Sequence, residues 1–161
     1  MDILYDDGIH AAALGMGFMG KSKVRNNLYT LLRRYGYMLP ALIDPSATVA
    51  DDVVIGAGTY IGRRAVVNAE ARIGHACIIN SGSIVEHECV IGDFSHIAVG
   101  TVLCGQVHIG SECMIGANST IIQGLSVGNR SIIGVGTVVA KEVEPYVLMR
   151  DELIVRKTYL Q

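Results

Sequence analysis

The sequence predicts a mainly β fold, a parallel β-helix with a small α/β fragment at its N-terminal end. Every sixth residue from Ile43 to Val139 is Ile, Val or Leu, and no insertion interrupts these seventeen positions. Glycine often follows these anchors, and a small side chain usually stands four residues after them. A period of six fits neither the turn of an α-helix nor the alternation of an ordinary strand. It fits a triangular coil of 18 residues, with three sides of six residues that each point one anchor inward, stacked at about 4.8 Å per coil.

The composition supports a core of aliphatic and small side chains. Half of the 161 residues are apolar, yet only 6% are aromatic and tryptophan is absent. The net charge of −2 gives no reason to expect a nucleic acid or an anionic membrane as a partner. No run approaches the roughly 20 apolar residues that cross a bilayer, and residues 1–7 lack the basic and apolar regions of a signal peptide. We therefore expect a cytoplasmic protein.

The four cysteines fit the repeat as packing residues. Cys77, Cys89 and Cys113 occupy the small-residue position four after an anchor, and Cys104 directly follows the anchor Leu103. No CxxC pair is present, and a cytoplasmic location favours free thiols. The sequence predicts buried cysteines that serve packing, and no metal site.

The limits of the repeat divide the chain into three segments: a truncated α/β fragment (1–42), the β-helix (43–144) and an extended tail or terminal cap (145–161). Within the first segment, residues 9–14 are predicted to form a short buried strand and residues 23–36 a helix with Ser22 as its N-cap. Residues 37–43 then lead into the first coil, which gives the order βαβ. Because so small a fragment cannot bury a sheet alone, we expect it to pack against the β-helix or another subunit.

A glycine-rich stretch lies between the predicted strand and the predicted helix. The residues from Gly15 to Ser22, GMGFMGKS, fit both the GxGxxG pattern and the GxxxxGK[ST] pattern. Exposed N–H groups at the start of a helix attract phosphate. A P-loop triphosphatase needs a sheet of several strands and an acidic strand for its metal, which about 40 residues cannot hold. The stretch is therefore either a phosphate-binding loop for a nucleotide-linked substrate or a plain turn.

The densest polar cluster of the repeat surrounds His87. Glu86 and Glu88 flank it, and acidic neighbours orient an imidazole and raise its basicity. Gly105 follows one coil later, directly above His87, where the missing side chain leaves a backbone N–H free to stabilise an oxyanion. A base beside an oxyanion donor is the minimum for acyl transfer. The alternative is that His87 and Glu88 form a solvated surface pair.

A second histidine, His96, lies nine residues after His87, which is half a coil. The two imidazoles are therefore expected on opposite sides of the prism, where they cannot meet within one subunit. They could meet only across a cleft between two subunits, so the spacing favours a site that two copies of the chain share.

Two segments carry a resemblance to a known family: 80–96, NSGSIVEHECVIGDFSH, and 42–47, LIDPSA. They resemble the bacterial hexapeptide-repeat acetyltransferases that modify bacillosamine, perosamine or sialic acid, and the resemblance extends over residues 9–145. It implies a left-handed β-helix, whose hand the period alone does not determine. It also implies a homotrimer with shared sites, and transfer of an acetyl group from acetyl-CoA to an amine or hydroxyl of a sugar, in particular a nucleotide-linked one.

The resemblance also implies a role for each residue of the site. His87 becomes the general base, Glu88 the carboxylate that polarises it, and the N–H of Gly105 the donor to the thioester oxygen. A coenzyme A groove would be lined by His96 and by Ala117 and Val135, which stand one coil apart and form a stripe that suits the pantetheine arm. The sugar substrate would contact four residues: Asn80, Gly15, Gly17 and Arg25.

Two features depart from the family pattern. The family's small nucleotide-binding domain carries an earlier glycine-rich loop, and only the last part of that domain is matched here. The family also tends to end in a Gly-x-Pro-Ala-Lys/Arg segment near the adenine of the coenzyme, where this chain has MRDEL at 149–153. The identity of the acceptor, the choice between nitrogen and oxygen, and the adenine end of the coenzyme site therefore stay open.

Two other functions fit a left-handed β-helix. A metal enzyme of the γ-carbonic anhydrase type holds zinc with three histidines, two of them five residues apart, and no two histidines of this chain have that spacing. The other alternative is a non-catalytic scaffold subunit that kept the coil and lost the chemistry, which the truncated N-terminal fragment makes credible. Binding of acetyl-CoA would separate the enzyme from the scaffold.

Overall fold

The computed structural model describes residues 2–18, 20 and 23–150, and its β-structure is a regular series of short strands. Each anchor from Ile43 to Val139 is the second residue of a two-residue strand, as the repeat predicts. One further strand, at Leu148–Met149, follows the repeat and pairs with the strand at Ile132–Ile133. In chain order β1 to β18 are Leu42–Ile43, Thr48–Val49, Val54–Ile55, Tyr60–Ile61, Val66–Val67, Arg72–Ile73, Ile78–Ile79, Ile84–Val85, Val90–Ile91, His96–Ile97, Val102–Leu103, His108–Ile109, Met114–Ile115, Thr120–Ile121, Ser126–Val127, Ile132–Ile133, Val138–Val139 and Leu148–Met149.

The strands form the three sides of a prism. A seven-stranded sheet has the order β1-β4-β7-β10-β13-β16-β18, a six-stranded sheet β17-β14-β11-β8-β5-β2, and a five-stranded sheet β15-β12-β9-β6-β3. All pairs are parallel, and within the repeat each residue pairs with the residue one coil later, as Val85 does with Leu103. The prediction of a left-handed parallel β-helix is confirmed, with about six turns.

The interior of the prism is filled by the anchors and by the small residues between them. The anchors from Ile61 to Val139 are buried, whereas Ile43 at the open end is 47% exposed. Full burial of such a side chain contributes about 2–3 kcal/mol. Hydroxyls in the small-residue column donate to backbone carbonyls, as the Thr59 Oγ1 does to Gly74 at 2.7 Å. The column therefore accepts Ser and Thr, and Thr137 is the exception among the described residues whose buried Oγ1 has no hydrogen-bond partner.

The cysteines lie where the repeat predicts, and all four are free thiols. Burial raises the pKa of Cys77 to about 12 and that of Cys89 to about 11, and Cys113 is also fully buried. Because the thiolate is the reactive form, we expect these three to resist alkylation by iodoacetamide in the native protein, while Cys104 reacts faster. Mass spectrometry of labelled protein measures this, with urea-unfolded protein as the control that labels at all four. Rapid native labelling of all four would show that the inward positions are misassigned.

The N-terminal fragment retains the predicted order with less regular structure. The predicted strand over 9–14 is wrong in length: it is reduced to one parallel bridge between Ala11 and Met38. Ile9, predicted to be buried, is 49% exposed. Within 2–18, 20 and 23–150 the bridge has no further strand beside it, and a single short pairing is too weak to extend. A short helix that the sequence analysis did not predict, α1, spans Asp2–Asp6.

The second helix, α2, spans Val24–Arg34, somewhat shorter than the predicted 23–36. Lys23 stands at its N-cap without a side-chain capping hydrogen bond. The predicted N-cap Ser22 and the end of the predicted tail, 151–161, lie outside the described residues. Leu32 packs into a small cluster with Tyr37 and Leu39, and the fragment contacts the β-helix, as expected.

Candidate active site

His87 projects from the corner that follows the six-stranded sheet. It stands two residues after the anchor Val85 of β8, and its side chain is 49% exposed. Its Nδ1 lies 3.0 Å from the Glu88 Oε2. Because an ionised carboxylate only accepts, the Nδ1 is the protonated nitrogen of the neutral imidazole. The lone pair of the Nε2 is then free to take a proton.

The Glu88 carboxylate is held from two sides. Its Oε2 also accepts a hydrogen bond of 3.1 Å from the Gln106 Nε2, one coil further on. The hydrogen bonds from His87 and Gln106 lower the pKa of Glu88, so the carboxylate is charged at neutral pH. The sequence analysis missed Gln106, although its distance of 18 residues from Glu88 was a signal that could have found it.

Gly105 lies directly against the imidazole, at the stacked position that the repeat predicts. A Cβ at Gly105 would stand 2.5 Å from the Nε2 of His87 and 2.6 Å from its Cε1, so the ring could not keep this position beside any larger residue. The Gly105 N–H donates no hydrogen bond to another described residue. The glycine thus leaves both a free ring nitrogen and a free N–H on one surface, the pair that a tetrahedral oxyanion intermediate needs.

A cavity of about 360 Å³ lies between the N-terminal fragment and the outer face of the seven-stranded sheet. It brings together all four predicted substrate residues and His96, which was predicted to line the coenzyme groove. The lining residues are Ala13, Leu14, Gly15, Met16, Gly17, Arg25, Leu42, Tyr60, Ile78, Asn80 and His96.

His96 lies on the outer face of β10 and is only 7% exposed, beneath residues of its own N-terminal fragment. Its Nδ1 is 2.7 Å from the Phe18 carbonyl oxygen, and its Nε2 is 3.1 Å from the Asn80 Nδ2. Burial lowers the pKa of His96, so the ring is neutral at neutral pH. His96 lies on the strand that pairs with β13, which ends two residues before Ala117, and its part in a coenzyme groove stays a prediction.

The Arg25 side chain is 2% exposed although it lines the cavity. Its guanidinium donates to the carbonyls of Ala76 (2.9 Å), Leu14 (3.0 Å), Met16 (2.5 Å) and Gly58 (3.3 Å). Most of its donors are therefore occupied by the protein itself. Because a guanidinium has five N–H groups, few remain for a ligand, and the contact of Arg25 with the substrate stays a prediction.

The residues 14–18, hereafter the glycine loop, form one wall of the cavity. A Cβ added to Gly15 or Gly17 would have open space, with no other atom within 4 Å. The N–H groups of the loop donate no hydrogen bond to another described residue. Neither packing nor a left-handed backbone explains these glycines, and the free N–H groups are the feature that binds anions.

Ala117 and Val135 lie on another corner, the one between the seven-stranded and the six-stranded sheets. The pairing of Ile115 with Ile133 stacks them one coil apart, and Val135 is 74% exposed. The whole width of the six-stranded sheet separates this stripe from the corner of His87. Within one chain the structure does not bring the two halves of the predicted site together.

The described part of the chain has neither a group of metal-ligating side chains nor a helix that could span a membrane. No three His, Cys, Asp or Glu side chains converge there as metal ligands. Neither of the two helices described has the length and apolar character to cross a bilayer.

The β-helix matches known acyltransferases in sequence and in structure. A family model described as the hexapeptide repeat of succinyl-transferase matches residues 106–141. PerB from Caulobacter crescentus, solved in complex with CoA and GDP-perosamine, is 30% identical, with a TM-score of 0.88 over 92% of this chain and 70% of PerB.

Two further solved structures agree. The acetyltransferase domain of PglB from Neisseria gonorrhoeae FA1090, solved with acetyl coenzyme A, is 30% identical with a TM-score of 0.80, covering 83% of this chain and 65% of that chain. WeeI from Acinetobacter baumannii AYE is also 30% identical, with a TM-score of 0.75 over 88% of this chain and 70% of its own. The chain belongs to the hexapeptide-repeat sugar acetyltransferases, enzymes whose acetyl donor is acetyl-CoA.

Proposed function

We propose that this enzyme transfers the acetyl group of acetyl-CoA to the amino group of a nucleotide-linked sugar, with His87 as the general base. The observation that carries the proposal is the contact between the His87 ring, the Glu88 carboxylate and Gly105. The similarity to PerB, which was solved with CoA and GDP-perosamine, supports the class of acceptor. The free thiols agree with a cytoplasmic location, where thiols stay reduced.

The chemistry follows from the positions of three groups. The His87 Nε2 removes a proton from the acceptor amine as its nitrogen attacks the thioester carbonyl carbon. The N–H of Gly105 donates to the oxygen that becomes negative in the tetrahedral intermediate. The intermediate collapses with cleavage of the carbon–sulfur bond, and the thiolate of CoA leaves with the proton that His87 has held. Glu88 stabilises the imidazolium between the two steps.

The outer faces of the prism support a homotrimer. The N-terminal fragment lies over the seven-stranded sheet, where Phe18 bonds to His96. The five-stranded sheet presents polar residues such as Arg72, His108 and Ser126. The outer face of the six-stranded sheet is apolar and uncovered; its residues are Thr48, Val66, Ile84, Val102, Thr120 and Val138. An apolar face of this kind favours association of identical copies.

Three copies with this face toward a threefold axis would complete the site. The two edges of the face are the corner of His87 and the corner of Ala117 and Val135. Around a threefold axis the first edge of one copy meets the second edge of the next. The pantetheine arm would then lie along the stripe of one subunit with its thioester at the His87 of the neighbour.

The acceptor is assigned to the cavity beneath the N-terminal fragment. The free N–H groups of the glycine loop are suited to a diphosphate, and Asn80 supplies a polar side chain to the sugar. Gly15 and Gly17 leave the space that a close approach to the backbone requires. Arg25 contributes positive charge to the cavity wall.

Acetyl transfer to a panel of acceptors tests the proposal. Release of CoA thiol is measured with GDP- and UDP-linked 4-amino sugars, the same amino sugars without nucleotide, and sialic acid. We expect turnover with at least one nucleotide-linked amino sugar and product heavier by one acetyl group. Turnover of sialic acid alone would assign oxygen as the acceptor atom. Absence of acetyl-CoA binding, with His87 intact, would support a scaffold subunit instead.

Glu88→Ala is expected to reduce kcat by roughly tenfold, the worth of one charge-assisted hydrogen bond at an exposed position. The carboxylate only orients and polarises the base, and its side chain is 45% exposed. Steady-state kinetics at neutral pH checks this, with Glu86→Ala as the matched control on the other side of His87. An unchanged kcat would mean that the His87–Glu88 contact is a surface pair without a catalytic part.

A further inference from the structure

Three alternate carbonyls of the glycine loop are held by two buried side chains. Arg25 donates to the carbonyls of Leu14 and Met16, at 3.0 Å and 2.5 Å. His96 donates to the carbonyl of Phe18, at 2.7 Å. Both side chains are less than 10% exposed, at 2% and 7%. Hydrogen bonds from such buried side chains fix the orientation of the backbone that accepts them.

The same two side chains are fixed to the β-helix. Arg25 also donates to the carbonyls of Ala76 and Gly58, at 2.9 Å and 3.3 Å. His96 belongs to β10, and its second nitrogen contacts Asn80. These polar contacts therefore help to fix the position of the loop relative to the prism, together with the packing of Leu14 and Phe18.

The protonation of His96 follows from its partners. The Phe18 carbonyl only accepts, so the Nδ1 carries the hydrogen. The Asn80 Oδ1 accepts from the Ser81 N–H at 2.8 Å, which turns the Asn80 Nδ2 toward His96 as a donor. The Nε2 is therefore an acceptor. Both ring nitrogens of His96 are therefore bonded to residues of its own chain.

The carbonyl groups and the N–H groups of the glycine loop differ in their hydrogen bonding. Its acceptors at Leu14, Met16 and Phe18 are satisfied, while its N–H donors have no partner among the described residues. A backbone with bound carbonyls and free N–H groups presents positive partial charge. Two of these N–H groups belong to Gly15 and Gly17, where no side chain obstructs approach.

We propose that Arg25 and His96 are positioning residues for the acceptor: they hold the carbonyls of the glycine loop so that its N–H groups face the diphosphate of the nucleotide-linked sugar. This inference rests on the proposed function, because it takes the acceptor to carry a diphosphate.

A pair of variants at His96 isolates the hydrogen bond to Phe18. The amide nitrogen of Asn falls where the Nδ1 stands, whereas that of Gln falls near the Nε2. His96→Gln is expected to raise the KM of the nucleotide-linked acceptor and the Kd of its free UDP or GDP about tenfold, with kcat and the KM of acetyl-CoA unchanged. His96→Asn is expected to stay within about twofold of wild type.

A control variant on α2 and a direct measurement of nucleotide binding show whether a negative result concerns this inference alone or the proposed function as well. Arg33→Gln, on the exposed side of α2, should leave all constants unchanged, and melting curves report whether each variant is folded. Equal losses in His96→Asn and His96→Gln, or a rise in the KM of acetyl-CoA, would overturn the inference while the proposed function stands. Wild-type protein that binds neither UDP nor GDP by calorimetry would overturn both.

Discussion

His87→Ala is expected to lower kcat about 10² to 10⁴-fold at neutral pH, the usual contribution of a positioned general base. The variant removes the only imidazole in contact with Glu88 and Gly105 among the described residues. Acetyl-CoA should bind as before, because the stripe of Ala117 and Val135 is untouched. Steady-state kinetics measures the first effect and isothermal titration calorimetry the second.

The matched control for this variant is His108→Ala. His108 is an exposed histidine of the five-stranded sheet, and its Nδ1 lies 3.1 Å from the Gln106 carbonyl oxygen. Its loss should leave kcat within about twofold, as surface substitutions usually do. Near-normal turnover of His87→Ala would remove His87 as the base.

Gly105→Val is expected to lower kcat about 10² to 10³-fold without unfolding the protein. The three atoms nearest to a Cβ at this position all belong to the His87 ring, so the ring must turn away from Glu88. The displaced backbone N–H would also no longer donate to the oxyanion, and the loss of such a donor costs about 3 kcal/mol. Gly105 lies in a turn outside the strands, is not an inward anchor and does not have the left-handed backbone that favours glycine, so the melting temperature should stay near that of wild type.

Gln123→Val is the control for this second variant. Gln123 stands in the same column as Gly105, one coil further on, and is exposed. It should leave both activity and the melting temperature unchanged. Normal turnover of Gly105→Val would move the oxyanion site elsewhere, and an unfolded variant would make Gly105 a structural residue.

The β-helix could be predicted strand by strand because each coil uses the same local rule. One anchor every six residues determines the side of the prism, the inward face and the pairing partner 18 residues away, as for Val85 and Leu103. The same rule placed His87 beneath Gly105. The hydrogen bonds around His87 were harder to predict, because Gln106 contacts Glu88 through side-chain rotamers that a period does not determine.

The N-terminal fragment was harder to predict because its structure depends on non-local contacts. The short apolar run at 9–14 indicates a buried strand, but only Ala11 finds a pairing partner. The six-residue repeat predicted that His96 lies on an outer face of the prism, but it did not predict which residues cover that face. The partner at Phe18 is 78 residues away in sequence, and no spacing rule links the two.

The central claim is that two subunits form each site, and mixed trimers test it most directly. His87→Ala lacks the base, and Ala117→Trp should block the groove for the pantetheine arm; each homotrimer is expected to be nearly inactive. The two chains are co-expressed with different tags, mixed trimers are purified through both tags, and light scattering confirms their mass.

A cyclic mixed trimer always contains one interface with an intact His87 beside an intact stripe, so about a third of wild-type activity should return. Trimers of His87→Ala mixed with the double variant His87→Ala, Ala117→Trp have no such interface and should stay inactive. Mixed trimers no more active than their parents, or a monomeric wild-type mass at micromolar concentration, would contradict a shared site.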